Sequence, residues 1–308
     1  MPNISLSGNF ILRTILLLLL GLSLCFCCRI FIYDLWLDLK FKIETGGSSV
    51  PIDVVLVSTE KDFEIVPYTV KSVRKFLRQP IAKIVLIAPK SDRALKLTHE
   101  LNMEYIDENT LLNLQSFKSW LKNNKLSLNH PIEEWYYQQF LKLLYYKIAK
   151  SDYYYVIDSD IILMKPLVMV SDKNQVTYFV GHNMGQEISN LSMTKLMEAN
   201  LSFPNFSYIA DMMCFNKNIV QKLIGEIENK HNLPFYEAAI LIEQGNKARF
   251  SEFELYGVYA NSGQFNNNPI YLPRSGEMHH RSLLTQNMSQ LSLKRFPYIA
   301  YHSWLKQK

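Results

Sequence analysis

The sequence predicts an α/β fold with a mostly parallel β-sheet flanked by helices. Short β-rich runs at 52–60, 82–90 and 103–109 alternate with helical segments at 68–77 and 91–101. Strands that alternate with helices of about ten residues indicate βαβ units and a parallel sheet. The 308 residues are 48% hydrophobic and 20% charged, which allows a sizeable core and excludes global disorder. Ligands of such sheets bind outside the carboxyl ends of the strands, so we expect functional residues at that edge.

Residues 1–40 are predicted to form a tail and a membrane-anchor helix. The run ILLLLLGLSLCFCC, residues 15–28, carries no charge and lies between Arg13 and Arg29. A helix of this length rises about 21 Å, short of the roughly 30 Å hydrocarbon core, but snorkelling arginines and the apolar residues after Arg29 extend the span. The alternative is a signal peptide, although no small-x-small cleavage site is evident. Residues 41–51 then form a linker into a folded domain over 52–308.

Charge and cysteine usage bear on the location of this domain. Arg29, Lys40 and Lys42 follow the apolar run and favour a cytoplasmic domain, whereas five Asn-x-Ser sequons favour a Golgi lumen as the alternative. Only Cys214 lies outside the N-terminal segment, so the folded domain forms no internal disulfide, which fits a reducing compartment. The net charge of +5 is spread along the chain, which suits an anionic ligand or a membrane surface and does not indicate nucleic acid.

Two carboxylates end a strongly apolar run in YYYVIDSDIILMKP, residues 153–166. In an extended chain Asp158 and Asp160 would point to the same side, and two unpaired carboxylates are costly to bury. A divalent cation is a natural partner, and oxygen ligands suit Mg²⁺ or Mn²⁺. A surface turn is the alternative interpretation of such a short motif. The sequence has no GxGxxG and no GxxxxGK[ST] phosphate loop, so a bound diphosphate would need another neutralising group.

Two other segments contribute candidates at the same edge. Ser58 and Thr59 follow the first strand and belong to a candidate nucleotide-facing loop, or to an ordinary βα connection. The segment 131–152 predicts an amphipathic helix with Gln139 and Lys142 in its polar row. That row would reach a phosphate or would be a solvated helix face.

These motifs resemble those of glycosyltransferases with the GT-A fold. The resemblance is carried by YVIDSDIILMKP, by WYYQQFLKL before it and by SEFELYGVY after it, and it extends over about residues 52–304, towards a poorly characterised, mainly bacterial branch. It implies a GT-A-like mixed sheet, a nucleotide-diphospho-sugar donor, a glycan or lipid-linked acceptor, and Mn²⁺ or Mg²⁺ at the Asp-x-Asp. It also implies that Asp160 ligates the metal directly, that Asp158 contacts the ribose or reaches the metal through water, and that His302 is a late metal ligand.

The resemblance also implies roles for later residues. Asp211 would bind the donor or acceptor sugar, with a local cap or turn as the alternative. An inverting enzyme needs a base for the acceptor hydroxyl, and Glu252 or Glu254 is the candidate, either as that base or as an acceptor ligand. The alternative is two structural acids, one capping a helix and the other pairing with an arginine. Arg281 or Lys294 would help to hold the leaving diphosphate.

The sequence therefore predicts a membrane-anchored, metal-dependent glycosyltransferase that moves a sugar from a nucleotide-diphosphate donor to a glycan or lipid-linked acceptor. A metal-dependent phosphoryl transferase or hydrolase is one alternative, although such enzymes commonly cluster more acids around two metals. A catalytically inactive anchored protein that binds sugar nucleotides or glycans is the other.

Overall fold

The computed structural model describes residues 47–126, 132–181, 186–197, 201–243, 250–265, 267–273, 277–280 and 297–302. The predicted anchor within residues 1–40 lies outside this part of the chain, as do Arg281 and Lys294. Within the described ranges, no helix is both long enough and apolar enough to span a membrane.

These ranges contain ten strands and eight α-helices, numbered here in chain order. The strands are β1 (Ile52–Val57), β2 (Ile81–Ala88), β3 (Glu104–Asp107), β4 (Tyr153–Ile157), β5 (Ile161–Leu163), β6 (Thr177–Val180), β7 (Met212–Asn216), β8 (Ile270–Pro273), β9 (Glu277–His280) and β10 (Tyr298–His302). The helices are α1 (Val66–Phe76), α2 (Asp92–Glu100), α3 (Leu114–Asn123), α4 (Ile132–Leu144), α5 (Gln186–Leu196), α6 (Lys217–His231), α7 (Phe235–Glu243) and α8 (Glu252–Ala260).

The central sheet has five strands in the order β3-β2-β1-β4-β7. The first four are parallel and β7 is antiparallel to β4, so the prediction of a mixed, mostly parallel sheet flanked by helices is confirmed. Every residue of β1 is buried, as expected for a β-branched strand covered on both faces. The parallel arrangement brings the ends of β1 and β4, at Val57 and Ile157, to one edge of the sheet.

The predicted helix over 131–152 is shorter than the sequence suggested. α4 ends at Leu144, and a 3₁₀ turn follows over Tyr145–Lys147. The turn is held because buried Asp53 accepts hydrogen bonds from the Tyr145 hydroxyl at 2.8 Å and the Lys150 N–H at 3.1 Å. A buried carboxylate needs such donors, and these bonds fix the chain that follows α4 against the start of β1.

α4 runs antiparallel to β1. Tyr145, just past its C-terminal end, bonds Asp53 near the start of β1, whereas the Gln138 side chain donates to the Val57 carbonyl at the end of β1 (3.3 Å). The N-terminal turn of α4 therefore extends beyond the carboxyl edge of the sheet.

A second, three-stranded sheet has the order β5-β10-β9. β5 follows β4 after a short turn and pairs antiparallel with β10, with Ile161 opposite Ala300. This pairing brings the end of β10 next to the turn that carries the acid pair.

Two helical glycines provide a matched test of packing. A Cβ at Gly257 of α8 would lie 2.3 to 2.6 Å from three ring atoms of buried Tyr208, whereas a Cβ at Gly225 of α6 would meet nothing within 4 Å. We expect Gly257→Ala to lower the free energy of unfolding by about 1–3 kcal/mol through overpacking. Gly225→Ala should raise it by up to about 1 kcal/mol through helix propensity. Urea unfolding measures both, and equal effects of the two substitutions would contradict this close approach.

Candidate active site

The acid pair lies in a turn between β4 and β5. β4 ends at Ile157, and the Ile161 N–H donates to the Asp158 carbonyl at 3.1 Å. The Thr69 hydroxyl anchors the turn by donating to the Ser159 carbonyl at 2.7 Å. The two acids therefore lie in a turn just after the strand and not within an extended chain, and a turn was the alternative interpretation of this motif.

Asp160 pairs with His302 at the end of β10. The imidazole Nδ1 lies 2.9 Å from Asp160 Oδ2, and the Tyr301 N–H donates to the Asp160 carbonyl at 2.9 Å. The two side chains keep 17% and 12% of their surface exposed. Burial lowers the pKa of His302, but the hydrogen bond and charge of Asp160, with further acids nearby, outweigh burial and raise that pKa.

Asp158 faces a different partner, the ammonium of Lys142. Lys142 Nζ lies 2.9 Å from Asp158 Oδ1 and 2.9 Å from Glu252 Oε1. The contact with Glu252 is a directed hydrogen bond, whereas the contact with Asp158 is an ion pair without hydrogen-bond alignment. The ammonium also lies 4.6 Å from the centre of the Phe253 ring. One buried cation thus joins α4, the turn after β4, and α8.

These contacts set the charge states of the group. Burial lowers the pKa of Lys142, but Asp158 and Glu252 outweigh it and raise the pKa above its ordinary value. The pKa of Asp158 is raised to about 6, because burial and the charges of Asp160 and Asp211 together outweigh the lowering by Lys142. The Asp158 side chain keeps 29% of its surface exposed, which leaves it open to a ligand.

Gln139 and Lys142 do not form a solvated helix face. Both are buried, at 2% and 5% exposure, and Gln139 Oε1 accepts a hydrogen bond from the Glu252 N–H at 3.0 Å. The sequence pattern placed these residues on one face correctly, and the structure shows that α8 packs on that face.

Asp211 also lies at this edge. Its carbonyl accepts a hydrogen bond from the Asp158 N–H at 3.0 Å, as expected where β7 begins beside the end of β4. Its carboxylate accepts a hydrogen bond from the Tyr298 hydroxyl at 3.0 Å. The charges of Asp160, Asp211 and Asp158 all contribute to raising the pKa of His302.

Glu254 is directed away from Lys142. Ser207 donates its hydroxyl, and Tyr208 its backbone N–H, to Glu254 Oε2 at 2.8 and 2.6 Å. Ser251 caps α8 by accepting the Glu254 N–H, so neither glutamate serves as the helix cap. Burial raises the pKa of Glu254, and the hydrogen bonds from the 207–209 segment lower it. Its contacts fix that segment against α8.

Ser58 and Thr59 follow β1 at the same edge of the sheet. Ser58 is buried and donates weakly to the Thr59 carbonyl at 3.5 Å, and Thr59 is exposed. Thr59 also precedes a short 3₁₀ helix over Glu60–Asp62 without capping it through its side chain. Of the two residues, the loop therefore exposes Thr59 beside the end of β1.

Three residues that hold the candidate site in place were not identified from the sequence. Thr69 holds the turn after β4, Tyr298 binds Asp211, and Tyr301 binds the Asp160 carbonyl through its backbone. Thr69 and Ser72 are polar residues on the buried face of α1, at i and i+3, and this pattern was a detectable signal.

The side chains present fit a divalent cation. A carboxylate from Asp160 and an imidazole from His302 are ligands that Mn²⁺ accepts, and both side chains are partly exposed. Within the described ranges, the chain has no cluster of three or more His, Cys, Asp or Glu side chains that could hold a metal ion by themselves. Water and substrate oxygens would therefore complete the coordination, as is usual for Mg²⁺.

Comparisons with known proteins place the chain in a family. The model of the family of unknown function DUF6492 matches residues 51–288, so the chain belongs to this family. Comparison with curated proteins gives no match. Among solved structures, the chain is similar to the galactosyltransferase LgtC in complex with donor and acceptor sugar analogues (14% identity, TM-score 0.42, covering 83% of this chain and 88% of that one).

Two further similar structures are the bifunctional glycosyltransferase WbbM (13% identity, TM-score 0.42, 84% of this chain and 46% of that one) and mouse xyloside xylosyltransferase 1 (9% identity, TM-score 0.42, 82% and 98%). All three are described as glycosyltransferases.

The two ion pairs of Lys142 should contribute measurably to the free energy of unfolding. Lys142→Met leaves Asp158 and Glu252 without their cation, and we expect the free energy of unfolding to fall by about 3 kcal/mol. Adding Glu252→Gln should restore part of the loss, because one uncompensated charge is then removed.

Lys217→Met is the matched control, since Lys217 pairs with the exposed Asp152 at 3.1 Å. Its effect should stay below about 1 kcal/mol. Urea unfolding of the four proteins measures the difference, and a loss in Lys142→Met no greater than in the control would contradict the buried pairing.

Proposed function

We propose that this member of the family is a metal-dependent glycosyltransferase, which moves a sugar from a nucleotide-diphosphate donor to a glycan or lipid-linked acceptor. The observation that carries the proposal is the Asp160–His302 pair at the carboxyl edge of the sheet, 2.9 Å apart and partly exposed. It lies where ligands of parallel sheets bind. Of the neighbouring acids, Asp158 is paired with Lys142 and Asp211 accepts a hydrogen bond from Tyr298, so the site suits one cation better than two.

Asp160 and His302 would hold Mn²⁺ or Mg²⁺. When bound, such an ion acts as a Lewis acid that stabilises the negative charge of the departing nucleoside diphosphate. The chain's own contribution is to hold both ligands in register through the pairing of β5 with β10 and the Tyr301–Asp160 hydrogen bond.

The remaining candidates divide into ligand contacts and positioning groups. Asp158, oriented by Lys142, would bind the donor ribose, and Ser58 and Thr59 would line the nucleotide side of the site. Asp211 would contact the donor or acceptor sugar from the start of β7. Glu252 keeps Lys142 in place.

Glu254 is a less suitable general base than expected, because its Oε2 already accepts two hydrogen bonds. Its proposed role is to fix residues 207–208 on the acceptor side. The anchor predicted within residues 1–40 would hold the domain at a membrane, on the cytoplasmic side, where a lipid-linked acceptor is accessible.

A donor screen tests the reaction class. The purified chain is incubated with a panel of nucleotide sugars, with and without Mn²⁺, and nucleoside diphosphate and sugar products are quantified. Metal-dependent release of nucleoside diphosphate with sugar transfer supports the proposal. Release of nucleoside monophosphate and sugar 1-phosphate without transfer would assign a phosphoryl hydrolase, and donor binding without turnover would assign an inactive binding protein.

Loss of either metal ligand should weaken Mn²⁺ binding and lower turnover. We expect Asp160→Ala and His302→Ala to weaken Mn²⁺ binding by about 10- to 100-fold or more, and to lower kcat/KM by at least about 100-fold. The first effect is read from the electron paramagnetic resonance signal of free Mn²⁺, and excess EDTA should reproduce the second in the wild type.

Asp152→Ala is the control, since Asp152 is an exposed acid just before β4, at the opposite end of the strand. Unchanged Mn²⁺ affinity in Asp160→Ala and His302→Ala would reject the metal assignment.

A further inference from the structure

The indole of Trp135 lies at the outer end of the helix face that carries Lys142. Trp135, Gln138 and Lys142 are spaced i, i+3, i+7 and so share one face of α4. Lys142 contacts Asp158, and Gln138 donates to the Val57 carbonyl. This face of α4 therefore lies beside the candidate site from Lys142 to Gln138.

Trp135 stands beyond the edge of the sheet. Because α4 runs antiparallel to β1, Trp135 lies about 4.5 Å further out along the helix axis than Gln138, which already contacts the last residue of β1. The indole is 46% exposed, whereas neighbouring Tyr136 is buried. The two ring centres are 5.0 Å apart, and the Tyr136 hydroxyl is hydrogen-bonded to Glu243. Tyr136 thus supports the indole from behind and leaves it accessible.

We infer that Trp135 is an acceptor-binding residue that packs its indole against the C–H face of a neutral sugar ring. The inference rests on the proposed function and adds to it one specificity-determining contact and the chemical class of the group contacted. An exposed indole offers a large apolar face together with an N–H donor, a combination suited to a sugar ring that is apolar on one face and polar at its rim.

The surrounding charge favours the acceptor over the donor. Glu133 and Glu134 precede Trp135 in the first turn of α4. Carboxylates accept hydrogen bonds from sugar hydroxyls, and their charge disfavours the approach of a diphosphate. The anionic donor would instead bind at the cation site formed by Asp160 and His302. We therefore assign the neutral acceptor sugar to Trp135.

Measurements of glycan and nucleotide affinity distinguish an acceptor-binding role of Trp135 from a structural one. The full chain and the variants Trp135→Ala, Trp135→Phe and Leu95→Ala are applied to immobilised neutral glycans, and their affinities for UDP, GDP and ADP with Mn²⁺ are measured by calorimetry. Leu95 is the matched control because it is an exposed apolar residue on a different helix, α2. Trp135→Ala should weaken glycan binding about tenfold, with Trp135→Phe retaining most of it, and neither should change nucleotide affinity.

The inference is overturned if Trp135→Ala binds glycans like the wild type, or if the wild type retains no neutral glycan. A loss of nucleotide affinity in Trp135→Ala would also overturn it, by assigning the indole to the nucleobase. Failure of the proposed function has a separate readout, because the wild type would then show no metal-dependent sugar transfer in the donor screen, whatever the glycan result.

Discussion

The arrangement of the candidate site depends on one ammonium group shared between two carboxylates. Lys142 is 6% exposed in its side chain and lies 2.9 Å from both Asp158 and Glu252. Two carboxylates this close to each other in a poorly hydrated region would be costly without a cation. The lysine therefore determines how closely α4 and α8 approach the turn after β4, and it fixes the direction of Asp158.

The same arrangement leaves the second acid of the turn available. Since Lys142 takes Asp158, Asp160 faces the opposite neighbour, His302, which β10 delivers by pairing with β5. The two acids of a three-residue motif thus have separate partners from distant segments. We interpret this as two separate roles, in which Asp158 is paired within the protein and Asp160 is available to bind a cation together with His302.

Much of the fold could be predicted from the sequence, because the signals are local. β1, β2 and β4 are apolar, β-branched or aromatic runs that end in polar residues, and Ser91 caps α2 by accepting a hydrogen bond from the Ala94 N–H. The Lys142–Glu252 contact could not be predicted in this way. Helical spacing shows that Gln139 and Lys142 share a face, but it does not show what packs there, and the partner is 110 residues away. The sequence left a turn at Asp158 open as an alternative and could not decide it, because the contact that anchors this turn comes from Thr69 in α1, 90 residues away from Ser159.

The most direct test of the account is the position of a bound cation. Crystals of the protein soaked in MnCl₂ with a nucleoside diphosphate would be measured for anomalous scattering from manganese. The account predicts one strong peak in contact with Asp160 and His302, with Lys142 still between Asp158 and Glu252. A peak bound elsewhere, or no peak at saturating Mn²⁺, would contradict it.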